Sequence, residues 1–323
     1  TLSSSSAASD VYKRQAEGIV DKWANKYGIH IKLTQVNDYV ESINQYTAGQ
    51  FDGCSMTNMD ALTIPAAGGV DSTALIVGDF SNGNDGVVLK GTGKTVNDLK
   101  GMDVNLVELS VSHYLLARAL DSAGLREKDL KVVNTSDADI AAAFDTAEVQ
   151  AVTTWNPMLE EVRNKPGVTQ VFDSSRIPGE ILDLMVVNTQ TLKDNPALGK
   201  ALTGAWYEVM DLIAGDSPER AKAVAHMAKA SGTDVDGFER QLSTTYLFDT
   251  PKAALTFVSS AELPKTMDKV ASFSFDHGLL GEGAKDSKAV GMSFANDAIV
   301  GNPGNLKLRF DPTYVRMAVD GSL

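Results

Sequence analysis

The chain has 323 residues, 43% of them hydrophobic and 22% charged, with a formal net charge of −13. That length and mix fit a folded protein with room for two lobes. The acidic balance argues against nucleic acid, which demands a basic stripe, and no run approaches the roughly 18 to 20 apolar residues of a membrane helix.

Residues 1–15 run through Ser3-Ser4-Ser5-Ser6 to Lys13-Arg14-Gln15. They lack the basic start and apolar centre of a secretory signal peptide. They read as a non-native or disordered segment outside the fold, which implies that the chain lacks its true beginning. A helical pattern starts at Ala16. His30 to Val36 alternates and is β-branched, predicting a strand. Asp38 is placed to cap a helix over 39–48, stopped by Gly49. A strand over 51–56 holds the single cysteine, Cys54, at a position expected to be buried. A helix over 58–67 and a strand over 73–77 follow. This strand–helix–strand rhythm implies parallel pairing in a doubly wound sheet.

The polar cluster Ser81 to Gly86 interrupts the rhythm. A second cycle follows, with strands at 102–106, 130–133 and 149–153 and helices at 110–123 and 136–144. A strand over 185–188 comes next. Beyond Asn195-Pro196 the chain reads as mostly helical, including 197–214 and 218–230. The division expected is lobe 1 from 16–89 and 181–323, and lobe 2 from 90–180.

Enzyme signatures are missing. Gly91-Thr92-Gly93-Lys94-Thr95 ends like a phosphate-binding loop, but Val88 stands where that motif needs glycine. No G-x-G-x-x-G follows a strand. The four histidines, His30, His113, His226 and His277, have no metal-ligand spacing. No serine sits in a nucleophile elbow. No catalytic residue, metal or cofactor is expected.

Polar residues gather instead where strands end, the usual place for a ligand in an open α/β sheet. Asn58 and Asp60 open a helix, Asn82 and Asp85 lie at the first interruption, and Glu108 and Ser112 join a strand to a helix. Trp155 and Asn156 close another strand. Each has a plain alternative: Asn58, Asp60 and Ser110 as helix caps, 82–85 as a turn, Trp155 as core. Asp183 is a further acid near a strand end.

Four stretches carry a resemblance: Tyr39-Val40-Glu41-Ser42 leading to Ala48-Gly49-Gln50-Phe51-Asp52; Thr95 to Gly101; Ala119 to Leu125; and Trp155-Asn156-Pro157. With them the chain, from Ala16 to its end, resembles the periplasmic solute-binding proteins of nitrate, sulfonate, taurine and thiamine-precursor importers. More narrowly, Val36 to Tyr46 with Thr57 to Leu62 is similar to the binding proteins associated with urea carboxylase. The resemblance implies a two-lobed α/β fold of the periplasmic binding type, with a ligand cleft between lobes. It implies the capture component of an ABC importer, working as a monomer with a membrane permease and an ATPase, in the periplasm or anchored outside the cell.

The family's sulfonate binders hold an anion at helix amino termini. Glu108 and Asp60 stand at such places here, which points to guanidinium or urea. Acceptors for such a ligand are Asp60, Asp85, Glu108 and Asp183 with Asn58 and Asn156, and Trp155 offers a flat face. The competing expectations are an enzyme of the same fold acting on a small nitrogenous or pyrimidine compound, and a binder of a sulfonate or thiamine precursor.

Overall fold

A computed structural model of the chain describes residues 2–4, 9–36, 38–215 and 217–323, with side chains from residue 18 onward except at positions 37, 216 and 230. The chain divides into two compact units. One runs to Asp79 and resumes over Leu182–Glu239 and Leu247–Leu323; the other takes Phe80–Ile181 and Arg240–Tyr246.

The first unit opens with β1 (Leu2–Ser4), α1 (Ser9–Lys26), β2 (Leu33–Gln35), α2 (Tyr39–Thr47), β3 (Gly53–Thr57), α3 (Asn58–Ala61) and β4 (Ser72–Ser81). Asp38 caps α2 by accepting from Glu41 N–H, the role its position predicted. The helix expected over 58–67 is α3 continued by a π-turn, Leu62–Ala66, that absorbs Pro65. Cys54 is buried on β3.

The second unit holds β5 (Asp85–Lys90), β6 (Asp103–Leu106), α4 (Val111–Ser122), β7 (Lys131–Asn134), α5 (Ile140–Asp145), β8 (Ala151–Trp155), α6 (Met158–Arg163) and β9 (Val168–Asp173). Its sheet has the order β7-β6-β8-β5-β9. Val88, Ile140, Phe144, Val152, Leu159 and Val162 form a core on one side of it.

The chain then returns to the first unit with β10 (Leu182–Asn188), α7 (Thr189–Asp194), α8 (Pro196–Ala214) and α9 (Pro218–Ala230). Next come α10 (Val235–Leu242), β11 (Thr245–Leu247), α11 (Pro251–Val258) and α12 (Glu262–Asp276). The chain closes on β12 (Gly291–Ser293), β13 (Ile299–Val300), β14 (Leu306–Phe310) and α13 (Thr313–Val319). The sheet order is β13-β12-β14-β4-β10-β3-β1-β2, with β11 on β4. Helix α8 packs on α1 and on β4 through rings laid on glycines. A Cβ at Gly204 would come within 2.4 Å of the Trp23 ring, and one at Gly78 within 2.7 Å of Trp206. Only glycine admits rings that close.

Four expectations change. Both sheets are mixed: the rhythm does yield parallel pairs such as β6 with β7 and β8, but β10 runs antiparallel to β3, and β5 to β8 and β9. Strands β5 and β10 each follow a passage of the chain between units, so no crossover helix sets their direction. The first boundary falls at Asp79/Phe80 and not at 89/90, because β5 hydrogen-bonds within the second sheet. Residues 240–246 also join the second unit. The tail expected to be mostly helical contributes β11 to β14. Within the first fifteen residues, 1 and 5–8 lie outside the described residues. Leu2–Ser4, however, forms β1 between β2 and β3, a place where both neighbours would otherwise expose unpaired edges.

Candidate functional site

In the first unit the order β4-β10-β3 brings three acids side by side that lie far apart in sequence. Asp79 is near the end of β4, Asp183 near the start of β10, and Asp60 just beyond β3 on α3. Asp183 pairs in register with Thr57. This edge is the carboxyl end of β3 and β4, where ligands of α/β sheets collect.

Asp60 is 2% exposed. Its Oδ2 accepts from Tyr39 Oη at 2.7 Å and from Thr57 Oγ1 at 2.8 Å, while Thr57 N–H donates to Tyr39 Oη at 2.9 Å. Burial pushes the Asp60 carboxyl up to about 6, against the two hydroxyl donors that favour its charged form; the nearby Asp183 charge adds to the rise. The Tyr39 phenol is also raised, first by burial and then by the Asp60 charge.

Asp183 keeps an exposed side chain. Enough protein nevertheless surrounds it that desolvation raises its carboxyl, opposed by its hydrogen bond with Asp79. Asp79 itself is buried. Asn58 is buried too, but its Oδ1 accepts Leu182 N–H at 3.0 Å and its Nδ2 points to Met267 Sδ at 3.4 Å. Its amide therefore fixes α3 to β10.

The other predicted residues lie in the second unit. Asn82 N–H donates to Thr244 O at 2.9 Å. Asp85, buried, accepts from Ser81 Oγ, which contacts Ser174 Oγ at 2.6 Å; Ser174 Oγ also accepts Gly83 N–H at 2.8 Å. Asp85 thus anchors the 82–85 turn. Trp155, half-buried, stands opposite Asp85 on β8. Asn156 donates to Thr244 Oγ1 at 3.1 Å and accepts Glu160 N–H at 3.0 Å, so it caps the turn into α6.

On the β6–α4 connection Glu108 is exposed, and its N–H donates to Asn134 Oδ1 at 3.0 Å. Ser110 caps α4 by accepting Ser112 N–H at 3.1 Å. Ser112 Oγ is buried and meets no hydrogen-bond partner among the described residues. The Lys94 of the false phosphate loop is held by Asp98 at 3.3 Å.

Of the nine residues predicted from sequence, Asp60 and Asp183 come together, with Asn58 fastening the floor between them. Asn82, Asp85, Trp155 and Asn156 gather in the second unit, apart from Glu108 and Ser112 on its β6–α4 connection. Sequence reasoning missed Tyr39, Thr57 and Asp79 as members of the acid row. Two signals were present: Thr57-x-x-Asp60 has capping-box spacing, and Asp79 interrupts the apolar residues Ala74 to Val77 and Phe80.

The fold is that of a periplasmic binding protein. The periplasmic aliphatic sulphonate-binding protein SsuA of Escherichia coli superposes with a TM-score of 0.73 at 20% identity, over 88% of this chain and 94% of that one. Residues 20–221 match the model of the NMT1/THI5-like family, and the chain belongs to that family. It is 22% identical over 179 residues to a Brucella abortus protein named as a binding protein, covering 54% of this chain and 55% of that protein. The chain thus spans about half the length of the first curated relatives it matches. The taurine-binding periplasmic protein of Escherichia coli is 22% identical over 234 residues, 67% of this chain and 71% of the relative. The same fold also carries an enzyme, the desulfurization enzyme DSZB, at a TM-score of 0.58 and 12% identity over 86% of this chain and 92% of that one. Fold alone does not separate carrier from catalyst.

Proposed function

We propose that this chain is the solute-capturing component of an ABC importer, and that its ligand is a small nitrogen-rich solute, guanidinium in the first place and urea in the second. The observation that carries the reading is the row Asp60, Asp183 and Asp79 at the carboxyl end of the first unit's strands. Carboxylates with raised affinity for protons are groups that gain from a cation arriving in the proton's place. A planar cation rich in N–H groups can donate to several of them at once, and such charge-assisted bonds are about twice as strong as neutral ones. An oxyanion would instead meet the negative charge of the row.

The carrier role draws on relatives named as binding proteins. It implies a membrane permease and an ATPase as partners, and the periplasm as the working compartment. Calorimetry at pH 7.5 with guanidinium, urea and taurine tests it. Guanidinium binds saturably, and Asp183→Asn weakens it more than about tenfold, about 1.4 kcal/mol, while urea changes less. Binding of taurine alone would refute the cationic reading, and a product released from any of these solutes would refute the carrier.

A further inference from the structure

We infer that Tyr39 is the positioning residue of this acid row: its hydroxyl holds Asp60 in register with β3 and sets the pH at which the row accepts a cation. The inference deepens the proposed function and rests on that reading for its ligand, but its core concerns the chain alone.

Tyr39 opens α2, Thr57 ends β3 and Asp60 sits on α3, so three elements meet at one oxygen. The Tyr39 hydroxyl is oriented from behind, because it accepts Thr57 N–H at 2.9 Å. Its proton is therefore turned forward onto Asp60 Oδ2, 2.7 Å away. Thr57 Oγ1 adds a second donor at 2.8 Å. Both donors favour the carboxylate over the acid, because a carboxylate is an acceptor at both oxygens whereas an acid must place its own proton.

The charged group bearing on Asp60 is Asp183 on β10, itself hydrogen-bonded to Asp79 on β4. Helix α12 meets α3 through Met267, whose sulfur receives Asn58 Nδ2. Asp60 thus stands between burial and a neighbouring acid, which favour its proton, and two hydroxyls, which oppose it. The phenol makes the shorter of the two donor contacts, 2.7 Å against 2.8 Å, and is itself oriented by Thr57 N–H. When a cation arrives, the proton on Asp60 leaves to solvent and the carboxylate remains in the place Tyr39 fixed.

The test is the titration of the Asp60 carboxyl carbon by NMR in the unliganded wild type and in Tyr39→Phe, followed by guanidinium calorimetry across pH. Loss of one hydrogen bond to a charged group moves the midpoint up by about one pH unit. The ionised fraction then falls, and guanidinium affinity with it, about twofold at pH 7 and about fivefold at pH 6, with the two proteins converging above pH 8. Tyr39 is half-buried, and a thermal melt of Tyr39→Phe checks that it folds. If it does not, proton release measured on the wild type in two buffers of different ionisation enthalpy takes its place; guanidinium should displace about 0.9 proton at pH 5, falling to about 0.25 at pH 6.5, and none at pH 5 would overturn the inference. An unmoved midpoint, or an affinity loss equal at all pH values, overturns it and marks Tyr39 as structural only. A midpoint that shifts in a protein deaf to guanidinium upholds Tyr39 and removes the ligand reading instead.

Discussion

Replacing Asp60 by asparagine should stabilise the first unit at neutral pH while it damages capture. Burial holds the Asp60 carboxyl near 6, from an ordinary value of 3.8. A group whose folded value is raised contributes stability fully below its unfolded value and loses it as pH rises through the folded one. A rise of about two units, at about 1.4 kcal/mol each, means that ionised Asp60 costs the fold up to about 3 kcal/mol above pH 7. An amide removes that cost but adds an N–H pair needing acceptors, which reduces the net gain to about 1 to 2 kcal/mol. The advantage should be absent below pH 4 and complete above pH 7. Urea unfolding of both proteins at pH 4, 5, 6, 7 and 8 measures it, with Trp23 and Trp206 as fluorescent reporters inside the first unit. A gain independent of pH, or a variant weaker than wild type at pH 8, would refute the argument. The expected outcome is the familiar exchange of stability for a site held ready to bind.

Two further substitutions probe packing. Gly78→Ala places a methyl 2.7 and 2.9 Å from two atoms of the Trp206 ring; forcing the ring aside costs about 1 to 3 kcal/mol, read as a lower melting temperature in calorimetry. Tyr114→Phe removes the hydroxyl that donates to buried Glu180 at 2.7 Å and leaves that carboxylate to Arg118 Nε at 2.8 Å. The loss is about 1.5 to 3 kcal/mol in urea unfolding followed through the second unit's Trp155, and a change below about 0.5 kcal/mol would mean that Arg118 suffices.

What the sequence could disclose followed the range of each physical signal. Caps are local, and Asp38 and Ser110 both serve where their spacing placed them. Helix α9 runs Pro218–Ala230, the range read from the sequence, and opens on a proline at its first turn. Strand β14, Leu306-Lys307-Leu308-Arg309-Phe310, alternates plainly, yet it follows a long helical stretch that masked it. Strands β12 and β13, at three and two residues, are too short to carry a period. Strand β1 had neither length nor β-branched residues to announce it; its place comes from the two edges it joins.

The acid row belongs to a different order of information. Asp60 and Asp183 are visible as strand-end acids and Asp79 only as a break in an apolar run, but their adjacency depends on β10 inserting between β3 and β4 after the chain has passed through another unit. No local pattern encodes that insertion. The same topology explains why the row is tolerable when empty. Burial raises the proton affinity of Asp183 beside Asp79, and Asp60 is held by two hydroxyls from elements that already had to meet there. Three like charges at one sheet edge would repel; the raised proton affinity of Asp60 and Asp183 lowers that charge, and a cation can take the protons' place. On this account the ligand's charge and the row's protons are alternatives for one place, so the selectivity proposed here resides as much in Tyr39 and Thr57 as in the acids themselves.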